Sequence, residues 1–536
     1  MSNTNNKSSS PSLFSGNQQL GNNQDTQIGS KFQNRQNEFK VEEENLSKVK
    51  ESTMAKELSL GENKRRKIFD QKRIHNKINI DTSESLYNKL NISKDDYNKL
   101  SSEEIQPNDF TKIINLFKSQ NPSDKFKGLI GIRKLLSIEP NPPIQEIIDN
   151  NIIPELIKLL DSPFNEFIYE SLWALTNVSY GDEKQVNTIL THDGLNKIMN
   201  LLDSKIEELK KQAIWLLANM TVTSVNIRDL FVGQKVFEKL LIIITSTDNI
   251  DYISLGIWAV SNFFRFKSPK LEYDYCYKAL KVISKVMINY DIKDKSKIDE
   301  EMLISTCLII SYITKYYGQL IQEIIDSGLL NKIITFLDLE NPKIIISCLR
   351  IMGNITLGNA NQNQKLLELG ILDKLKYYLY FQSQNIRKES AYILSNLAAG
   401  TQKQIETLID NNFLQILYKT FQKDNPPVKK EALFAIANLT GIESDVYMEK
   451  LIKDGILIIL SECIKSKDDK FIIICLEALS NVLAFGKKKG ILPLFIKEIE
   501  KIGLVDILEN LQNHTNEIVY DKVLQILDNY FEVENI

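Results

Sequence analysis

The sequence predicts an all-α protein built as a right-handed superhelical solenoid of about ten repeats. Three observations predict this fold. From about residue 108 onward, apolar residues recur with a helical period and almost never alternate as they do in strands. A short apolar phrase ending in Asn returns every 42 or 43 residues, and a glycine followed by an apolar run returns between the phrases.

The phrase is clearest in the segments SLWALTNVSYG, QAIWLLANMT and LGIWAVSNFF. Trp173 and Trp215 are 42 residues apart, and Trp258 follows after 43. The next step is 50 residues, which predicts a longer loop. Weaker copies of the phrase carry another residue at the Trp position, namely Leu308, Arg350, Tyr392, Phe434 and Glu477. A period of about 40–47 residues is typical of armadillo and HEAT repeats.

A glycine precedes the apolar run in four of the repeats, at Gly194, Gly328, Gly370 and Gly455. Glycine adopts positive φ without steric cost, so we expect left-handed turns at these positions. Each repeat then consists of a short helix, a second helix and a third apolar helix. One repeat cannot bury its apolar faces alone, whereas stacked neighbours can, so armadillo repeats are expected over residues 108–534.

The N-terminal part has a different composition. Residues 1–30 are rich in Ser, Asn, Gln and Gly and are expected to be disordered. Residues 31–80 form a basic segment, with a helix over 62–78 that we expect to order on binding, and residues 81–107 form a linker. Residues 1–80 carry a net charge of +5 and the rest −8, so the tail is suited to an acidic surface. A merely solvated charge run is the alternative.

Several classes of function are excluded or disfavoured. The five cysteines show no CxxC spacing, which indicates free thiols in a reducing compartment, and the three histidines are far apart in sequence. We find no HExxH, GxSxG or phosphate-binding glycine loop, so no catalytic residue, metal site or cofactor is predicted, and the protein is not expected to be an enzyme. Apolar runs are too short to cross a bilayer. Neither membrane insertion nor a nucleic-acid partner is predicted.

The pairing of Trp with Asn needs its own explanation. Residues four apart lie on one helix face, so the pairs form two parallel rows along the stacked repeats. Asn costs free energy inside a helix, yet it stands at seven of the eight phrase positions. Its carboxamide can form hydrogen bonds with the backbone of an extended peptide. The indole faces can bind Lys or Arg side chains by cation–π contacts worth about 0.5–2 kcal/mol each. The alternative is structural, with Trp in the core and Asn bonded to neighbouring backbone.

These phrases resemble those of the importin-alpha family. WALTN, QAIWLLAN and WAVSNFFR are similar to the family's major site for nuclear localisation signals, while RIMGN, RKESAYILSNLAAG and KKEALFAIAN resemble its minor site. The resemblance implies that basic signal peptides of cargo proteins bind at both. The implied major-site residues are Trp173, Asn177, Gly181, Gln212, Trp215, Asn219, Trp258, Asn262 and Arg265. The implied minor-site residues are Arg350, Asn354, Glu389, Tyr392, Asn396, Phe434 and Asn438.

The sequence departs from the family pattern at several of these positions. Thr223 stands where the family has the acid that grips the key lysine of the signal. The fifth repeat has Leu308 for Trp and Lys315 for an acid, although Tyr312 is retained. Tyr392 and Phe434 replace Trp and offer a weaker face to cations.

The basic run KRRKIFDQKR resembles the segment with which the family binds its carrier, importin-beta. When free, that segment folds back into the cargo groove as an autoinhibitor. The residues implied in carrier binding and autoinhibition are Lys64, Arg65, Arg66, Lys67, Lys72 and Arg73. A simple basic linker or a localisation signal is the alternative.

Residues 509–534 resemble the tenth repeat, the surface that the family uses with its export receptor. The resemblance therefore implies an import adaptor that shuttles between cytoplasm and nucleus through nuclear pores. A catenin-like armadillo scaffold for acidic partners is the alternative function. Such a scaffold would line its groove with Lys and Arg, whereas this sequence offers Trp, Asn and Tyr.

Overall fold

The computed structural model describes residues 97, 99–100, 109–138, 140–293 and 298–531. Within these residues the regular structure is entirely helical, which confirms the all-α armadillo fold class. The predicted disordered segment 1–30, the basic segment 31–80 and most of the linker 81–107 lie outside the described residues. None of the described helices is sufficiently long and apolar to span a bilayer.

The described residues form 28 α-helices and two short 3-10 helices, Gly318–Leu320 and Phe336–Asp338. In chain order the α-helices are α1 (Phe110–Phe117), α2 (Pro122–Leu135), α3 (Ile144–Asp149), α4 (Ile153–Leu159), α5 (Asn165–Val178), α6 (Glu183–Leu190), α7 (Gly194–Leu201), α8 (Glu207–Thr221), α9 (Val225–Gly233), α10 (Val236–Thr245), α11 (Ile250–Asn262), α12 (Tyr273–Ile288), α13 (Glu300–Tyr316), α14 (Ile321–Asp326), α15 (Leu329–Thr335), α16 (Pro342–Ile355), α17 (Ala360–Glu368), α18 (Ile371–Tyr378), α19 (Gln384–Ala398), α20 (Gln402–Asp410), α21 (Phe413–Lys423), α22 (Pro426–Leu439), α23 (Asp445–Lys453), α24 (Ile456–Cys463), α25 (Asp469–Lys488), α26 (Leu492–Lys501), α27 (Leu504–Leu511) and α28 (Glu517–Tyr530).

Most repeats contain two short helices followed by a long one, as the sequence predicts. The long helices of the described residues, each closing one repeat, are α2, α5, α8, α11, α13, α16, α19, α22, α25 and α28. Many begin after a side chain that caps the first backbone N–H groups, such as Asn121 before α2 and Asp299 before α13. These caps mark where the long helix of a repeat begins.

The described residues divide into two compact units, 97–393 and 394–531, with the division inside α19. In the first unit, α5 packs on α8, α8 on α11 and α13 on α16. In the second unit, α22 packs on α25, and α25 packs on α28. Leu, Ile and Phe side chains between these helices are almost fully buried, for example Leu217 and Phe263 in the first unit. Each unit therefore has a core that runs continuously from one repeat to the next.

The glycine turns follow the prediction at three of the four positions. Gly328, Gly370 and Gly455 have φ of 79°, 76° and 86°. The prediction is wrong at Gly194, because the left-handed residue there is Asp193, with φ of 64°. Gly194 is instead the first helical residue of α7, where a Cβ atom would lie 1.9 Å from the carbonyl oxygen of Ile189. Its role is close packing rather than positive φ.

The longer step before Leu308 has a structural explanation. Between the long helices α11 and α13, the single helix α12 of 16 residues stands where other repeats have two short helices. Arg228 of α9, only 1% exposed, donates to the Pro269 carbonyl oxygen at 3.0 Å and so ties the segment before α12 to the preceding repeat.

Candidate functional site

Three consecutive long helices of the first unit carry the Trp–Asn pairs that the sequence singles out. Trp173 and Asn177 lie on α5, Trp215 and Asn219 on α8, and Trp258 and Asn262 on α11. Because α8 packs against both α5 and α11, the pairs succeed one another along the stack. The rings of Trp215 and Trp258 meet edge to face, with their centroids 5.8 Å apart.

Most of these asparagines donate to the backbone of the preceding repeat. The Asn262 Nδ2 atom donates to the Ala218 carbonyl oxygen at 2.8 Å, and Asn177 Nδ2 donates to the Arg133 carbonyl oxygen at 3.2 Å. The Asn354 amide does the same with Ser311, at 3.1 Å. In the second unit, Asn438 Nδ2 donates to Ser395 at 2.9 Å. The structural interpretation of the recurrent Asn therefore applies at these positions, since each amide satisfies a helix carbonyl.

Asn219 is the exception. Its side chain is 8% exposed, yet its buried Nδ2 atom has no hydrogen-bond partner. The link between α5 and α8 comes instead from Gln212, whose Nε2 atom donates to the Thr176 hydroxyl at 2.8 Å. An unpaired buried donor costs about 1–3 kcal/mol, which makes the Asn219 Nδ2 atom a candidate contact for an acceptor on a ligand.

A cavity of about 180 Å³ lies beside Asn219. It is lined by Ser179, Tyr180, Gly181, Trp215, Asn219, Val222, Thr223, Trp258, Asn262 and Arg265. Tyr180 is 39% exposed, so the cavity is open to solvent. Six of the predicted major-site residues therefore come together here.

Ser179, Tyr180 and Val222 line the same cavity but were missed by sequence reasoning. Each lies one or two residues beyond the end of a long helix, α5 or α8, and this position is the signal by which they can be recognised. The predicted residues Trp173, Asn177 and Gln212 do not line the cavity. The last two make structural hydrogen bonds within the stack.

Trp173 is covered by an arginine of the chain itself. The Arg133 guanidinium lies 4.2 Å from the centre of the Trp173 ring, and Trp173 is 6% exposed. Arg133 is held there by Glu170, whose Oε2 atom is 2.9 Å from the Arg133 Nε atom. The hydroxyl of Tyr97 donates to the same carboxylate at 2.7 Å. The first predicted cation slot is thus filled from within.

The buried Glu170 carboxylate favours the protonated forms of Arg133 and Tyr97, and the pKa values of both groups are raised. Burial opposes the charge on Arg133, but the Glu170 carboxylate raises the pKa of Arg133 above its usual value. Burial and the nearby Glu170 charge raise the pKa of Tyr97 well above its usual range. Both groups therefore stay protonated and donate to Glu170. Tyr97 belongs to the predicted linker, and its bond to Glu170 anchors it against the first repeats.

Charge is scarce around the cavity. Of the ten described residues that line it, Arg265 alone carries a charge, and its Nε atom donates to the Asn262 Oδ1 atom at 2.9 Å. Thr223 lines the cavity at the position where the family resemblance implies an acid. Glu183, on α6, is engaged elsewhere, since it accepts from Ser224 at 2.8 Å and from Asn226 at 3.0 Å.

The fifth repeat lacks the Trp and the acid that the family resemblance implies for a cation slot, since Leu308 and Lys315 stand at these positions. The buried Tyr312 hydroxyl accepts from the Leu271 backbone N–H at 3.0 Å, and burial raises the pKa of Tyr312 to about 12. The exposed Lys315 stands on the same helix, 5.7 Å from the Tyr316 ring centre. Lys270 approaches that ring to 4.8 Å. Two lysines of the chain, Lys270 and Lys315, thus lie near the ring of Tyr316.

The predicted minor-site residues fall in both units. In the first unit, Arg350 Nε lies 3.5 Å from Glu389 Oε1, and Tyr392 is half-buried against Gly353, where a Cβ atom would lie 3.2 Å from its ring. In the second unit Asn396 is 1% exposed, and Phe434 is half-buried with the Lys430 ammonium 5.9 Å from its ring centre.

The predicted carrier-binding residues, from Lys64 to Arg73, lie outside the described residues. Among the residues that the structure does describe, no group of three or more His, Cys, Asp or Glu side chains is placed to hold a metal ion.

Comparison with known proteins adds independent evidence. Residues 140–180 match the family model of the armadillo/beta-catenin-like repeat, and residues 494–536 match that of the atypical Arm repeat. The crystal structure of an engineered protein has a TM-score of 0.65 with this chain at 22% identity, covering 79% of this chain and 99% of that one. This likeness shows a shared fold.

Two curated relatives match along most of their length. Importin subunit alpha-3 of Arabidopsis thaliana is 29% identical over 425 residues, which are 78% of this chain and 78% of that protein. Importin subunit alpha-4 of the same plant is 31% identical over 427 residues, 78% of this chain and 77% of that protein. With this degree of identity over more than three quarters of both sequences, the chain belongs to the importin-alpha family of armadillo-repeat nuclear import adaptors.

Proposed function

We propose that this chain binds the basic nuclear localisation signals of cargo proteins along its long helices and links them to an importin-beta carrier. The observation that supports it best is the unpaired Asn219 amide in the cavity between Trp215 and Trp258. An extended peptide has a backbone carbonyl at every residue, so it supplies the missing acceptor whatever its sequence. The aromatic walls can then pack against the stems of long side chains.

Asn219→Ala is the direct test of this proposal. Its amide makes no bond within the described structure, so the variant should keep its melting temperature and lose about 2- to 10-fold in affinity for a labelled Lys/Arg-rich peptide. We prefer this change to Trp215→Ala, because Trp215 is 8% exposed and its removal would leave a cavity in the core. Fluorescence anisotropy measures the affinity.

Two controls make the test specific. Asn226→Ala removes an exposed carboxamide on the next helix and should bind the peptide as the unchanged protein does. A peptide of equal length with every Lys and Arg replaced by Gln should bind far more weakly. The proposal is wrong if the basic and neutral peptides bind alike, or if Asn219→Ala and Asn226→Ala bind equally.

The N-terminal basic segment is proposed to bind importin-beta and, when free, to compete with cargo signals for the same helices. The carrier would then withdraw the segment and raise cargo affinity, which is a shift of populations driven by its preference for the exposed segment. The rest of the chain carries a net charge of −8, which favours its interaction with the basic N-terminal segment.

Deletion of residues 1–80 is therefore expected to tighten the binding of a basic peptide, since its competitor is gone. A full-length variant with Gln at Lys64, Arg65, Arg66, Lys67, Lys72 and Arg73 is the matched control, because it keeps the tail and removes its charge. It should bind cargo peptide as tightly as the deletion and should lose importin-beta in a pull-down with the purified carrier. Unchanged peptide affinity in both variants would rule out autoinhibition.

The family assignment also supports shuttling between cytoplasm and nucleus, with an export receptor that returns the protein from the nucleus. We place the receptor's surface at residues 509–534, of which 509–531 are described and include α28. Val519, Val523 and Ile526 form the buried face of this helix, while Ile518 and Tyr520 are 55% and 41% exposed. These exposed side chains are suited to contact a partner.

A further inference from the structure

The cavity beside Asn219 favours neither a cation nor an anion. Of the described residues that line it, none carries a carboxylate to pair with an ammonium group, and Arg265 in its wall adds a positive charge. The helices α5, α8 and α11 all end at this cavity, and the C-terminal end of a helix carries about half a negative charge. These helix ends oppose an anion, so a neutral side chain fits the cavity best.

The wall of the cavity offers both donors and acceptors of hydrogen bonds. The buried Asn219 Nδ2 and Trp258 Nε1 atoms have no hydrogen-bond partner among the described residues. Ser179 Oγ donates to the Thr176 carbonyl oxygen at 2.6 Å, and Thr223 Oγ1 lies 3.5 Å from the Asn219 carbonyl oxygen. Both hydroxyl oxygens can still accept a hydrogen bond. A side-chain amide matches such a wall, because its carbonyl accepts, its N–H donates and it carries no charge.

The cavity has room for a side-chain amide as well as for the peptide backbone. The Asn219 amide has two N–H hydrogens, so one can donate to a backbone carbonyl and the other to a side-chain carbonyl. A volume of about 180 Å³ is far more than one water molecule requires. Trp215, Trp258 and Tyr180 line the same cavity and can pack against the methylene groups of the entering side chain.

We infer that the cargo residue held beside Thr223 ends in a neutral amide, either the carboxamide of glutamine or the acetamide of an N-acetylated lysine. This inference rests on the proposed function and specifies it: the recognised signal is basic along most of its length but carries an amide at this position. Acetylation removes the charge of a lysine. It is therefore compatible with binding at this position and unfavourable at the others.

The test is a positional scan on the full-length protein. A labelled basic parent peptide is synthesised with lysine, glutamine, N-acetyl-lysine, glutamate or norleucine at each position in turn, and each affinity is measured by fluorescence anisotropy. At most positions the uncharged residues and glutamate should weaken binding. At one position an amide should bind at least as tightly as lysine and about five-fold or more tighter than norleucine, which forms no hydrogen bond. The tighter of the two amides identifies its source.

Removal of a donor tests whether the amide binds in this cavity. In Asn219→Ala the preference for the amide over norleucine at that position should fall below about two-fold, because the wall has lost its carboxamide. Asn226→Ala is the matched control, since it removes an exposed carboxamide on α9, and it should keep the full preference.

Addition of a carboxylate gives the opposite test. Thr223→Asp places an acid in the cavity, so at the same position the preference should turn to lysine by about ten-fold or more. Thr111→Asp is the matched control, since Thr111 is exposed on the first turn of α1, and it should leave every preference unchanged. Circular dichroism and a thermal melt establish that the variants fold.

The possible failures are distinct. If the unchanged protein binds basic peptides but prefers lysine or glutamate to both amides at every position, the amide site is wrong while the proposed function stands. The same holds if norleucine binds as tightly as the amides, or if Thr223→Asp and Thr111→Asp give identical scans. If no basic peptide binds at all, the proposed function fails and the amide site fails with it.

Discussion

Replacing Glu170 with alanine is expected to destabilise the first unit by about 3–5 kcal/mol, the largest loss we expect from any single change. Glu170 is 0% exposed and accepts from both Arg133 and Tyr97. Its removal takes the carboxylate away from the buried Arg133 guanidinium and the acceptor away from the buried Tyr97 hydroxyl. The loss should be concentrated in the first repeats, because a stacked repeat contacts only its neighbours.

The measurement is hydrogen exchange of the amides in α2 and α5, since a chain of repeats does not unfold as one two-state body. Glu155→Ala is the control. It breaks the ion pair with Lys125, at 2.7 Å and with 33% of the Glu155 side chain exposed, which should cost no more than about 1 kcal/mol. Equal protection in the two variants would contradict the role of Glu170.

A double variant separates charge from packing. Arg133→Met with Glu170→Leu replaces the buried ion pair by apolar side chains of similar size, and such replacements are often neutral or stabilising. We expect it to recover most of the protection that Glu170→Ala loses.

Gly128→Ala is the second change for which we expect a large effect. A Cβ atom at Gly128 would lie 2.2 Å from the backbone nitrogen of Phe117 and 2.6 Å from its Cα atom. Backbone of a neighbouring helix cannot rotate away as a side chain can, so α1 and α2 must separate. Overpacking of this kind costs about 1–3 kcal/mol and occasionally more.

Gly233→Ala is the matched control for Gly128→Ala, because nothing lies within 4 Å of a Cβ atom built there. In a helix this change should be neutral or stabilising by about 0.5–1 kcal/mol. Hydrogen exchange of the amides in α1 and α2, monitored during urea denaturation, measures the difference in stability between the two variants. If both glycine variants are equally stable, α1 and α2 are not held at the distance that the structure shows.

Much of the architecture follows from the sequence because it depends on local periodicity. The recurrence of apolar residues and of Asn at nearly constant spacing predicts helices that stack in register, and the long helices indeed carry Trp173, Trp215 and Trp258 one repeat apart. The left-handed glycine turns are also local. At Gly194 the prediction fails because Asp193 can adopt positive φ as well, and the glycine is required instead by the nearby Ile189 carbonyl.

The details of the candidate site are harder to predict, since they depend on contacts between repeats. Nothing within the phrase around Trp173 shows that Arg133, one repeat earlier, covers its ring. Likewise, Asn219 and Asn262 are equivalent in the sequence pattern. Only the packing of α5, α8 and α11 shows that one amide is bonded to backbone and the other is not.

The Gln212–Thr176 hydrogen bond has a consequence for protein engineering. An asparagine such as Asn262 donates a hydrogen bond to the preceding long helix. If its amide bound a ligand instead, that bond between helices would be lost. On α8 these contacts belong to different residues. Gln212 makes the hydrogen bond to the preceding long helix, and Asn219 lines the cavity. Residue 219 can therefore be varied without loss of this bond between helices, which makes it the natural starting point for redesigning the proposed peptide site.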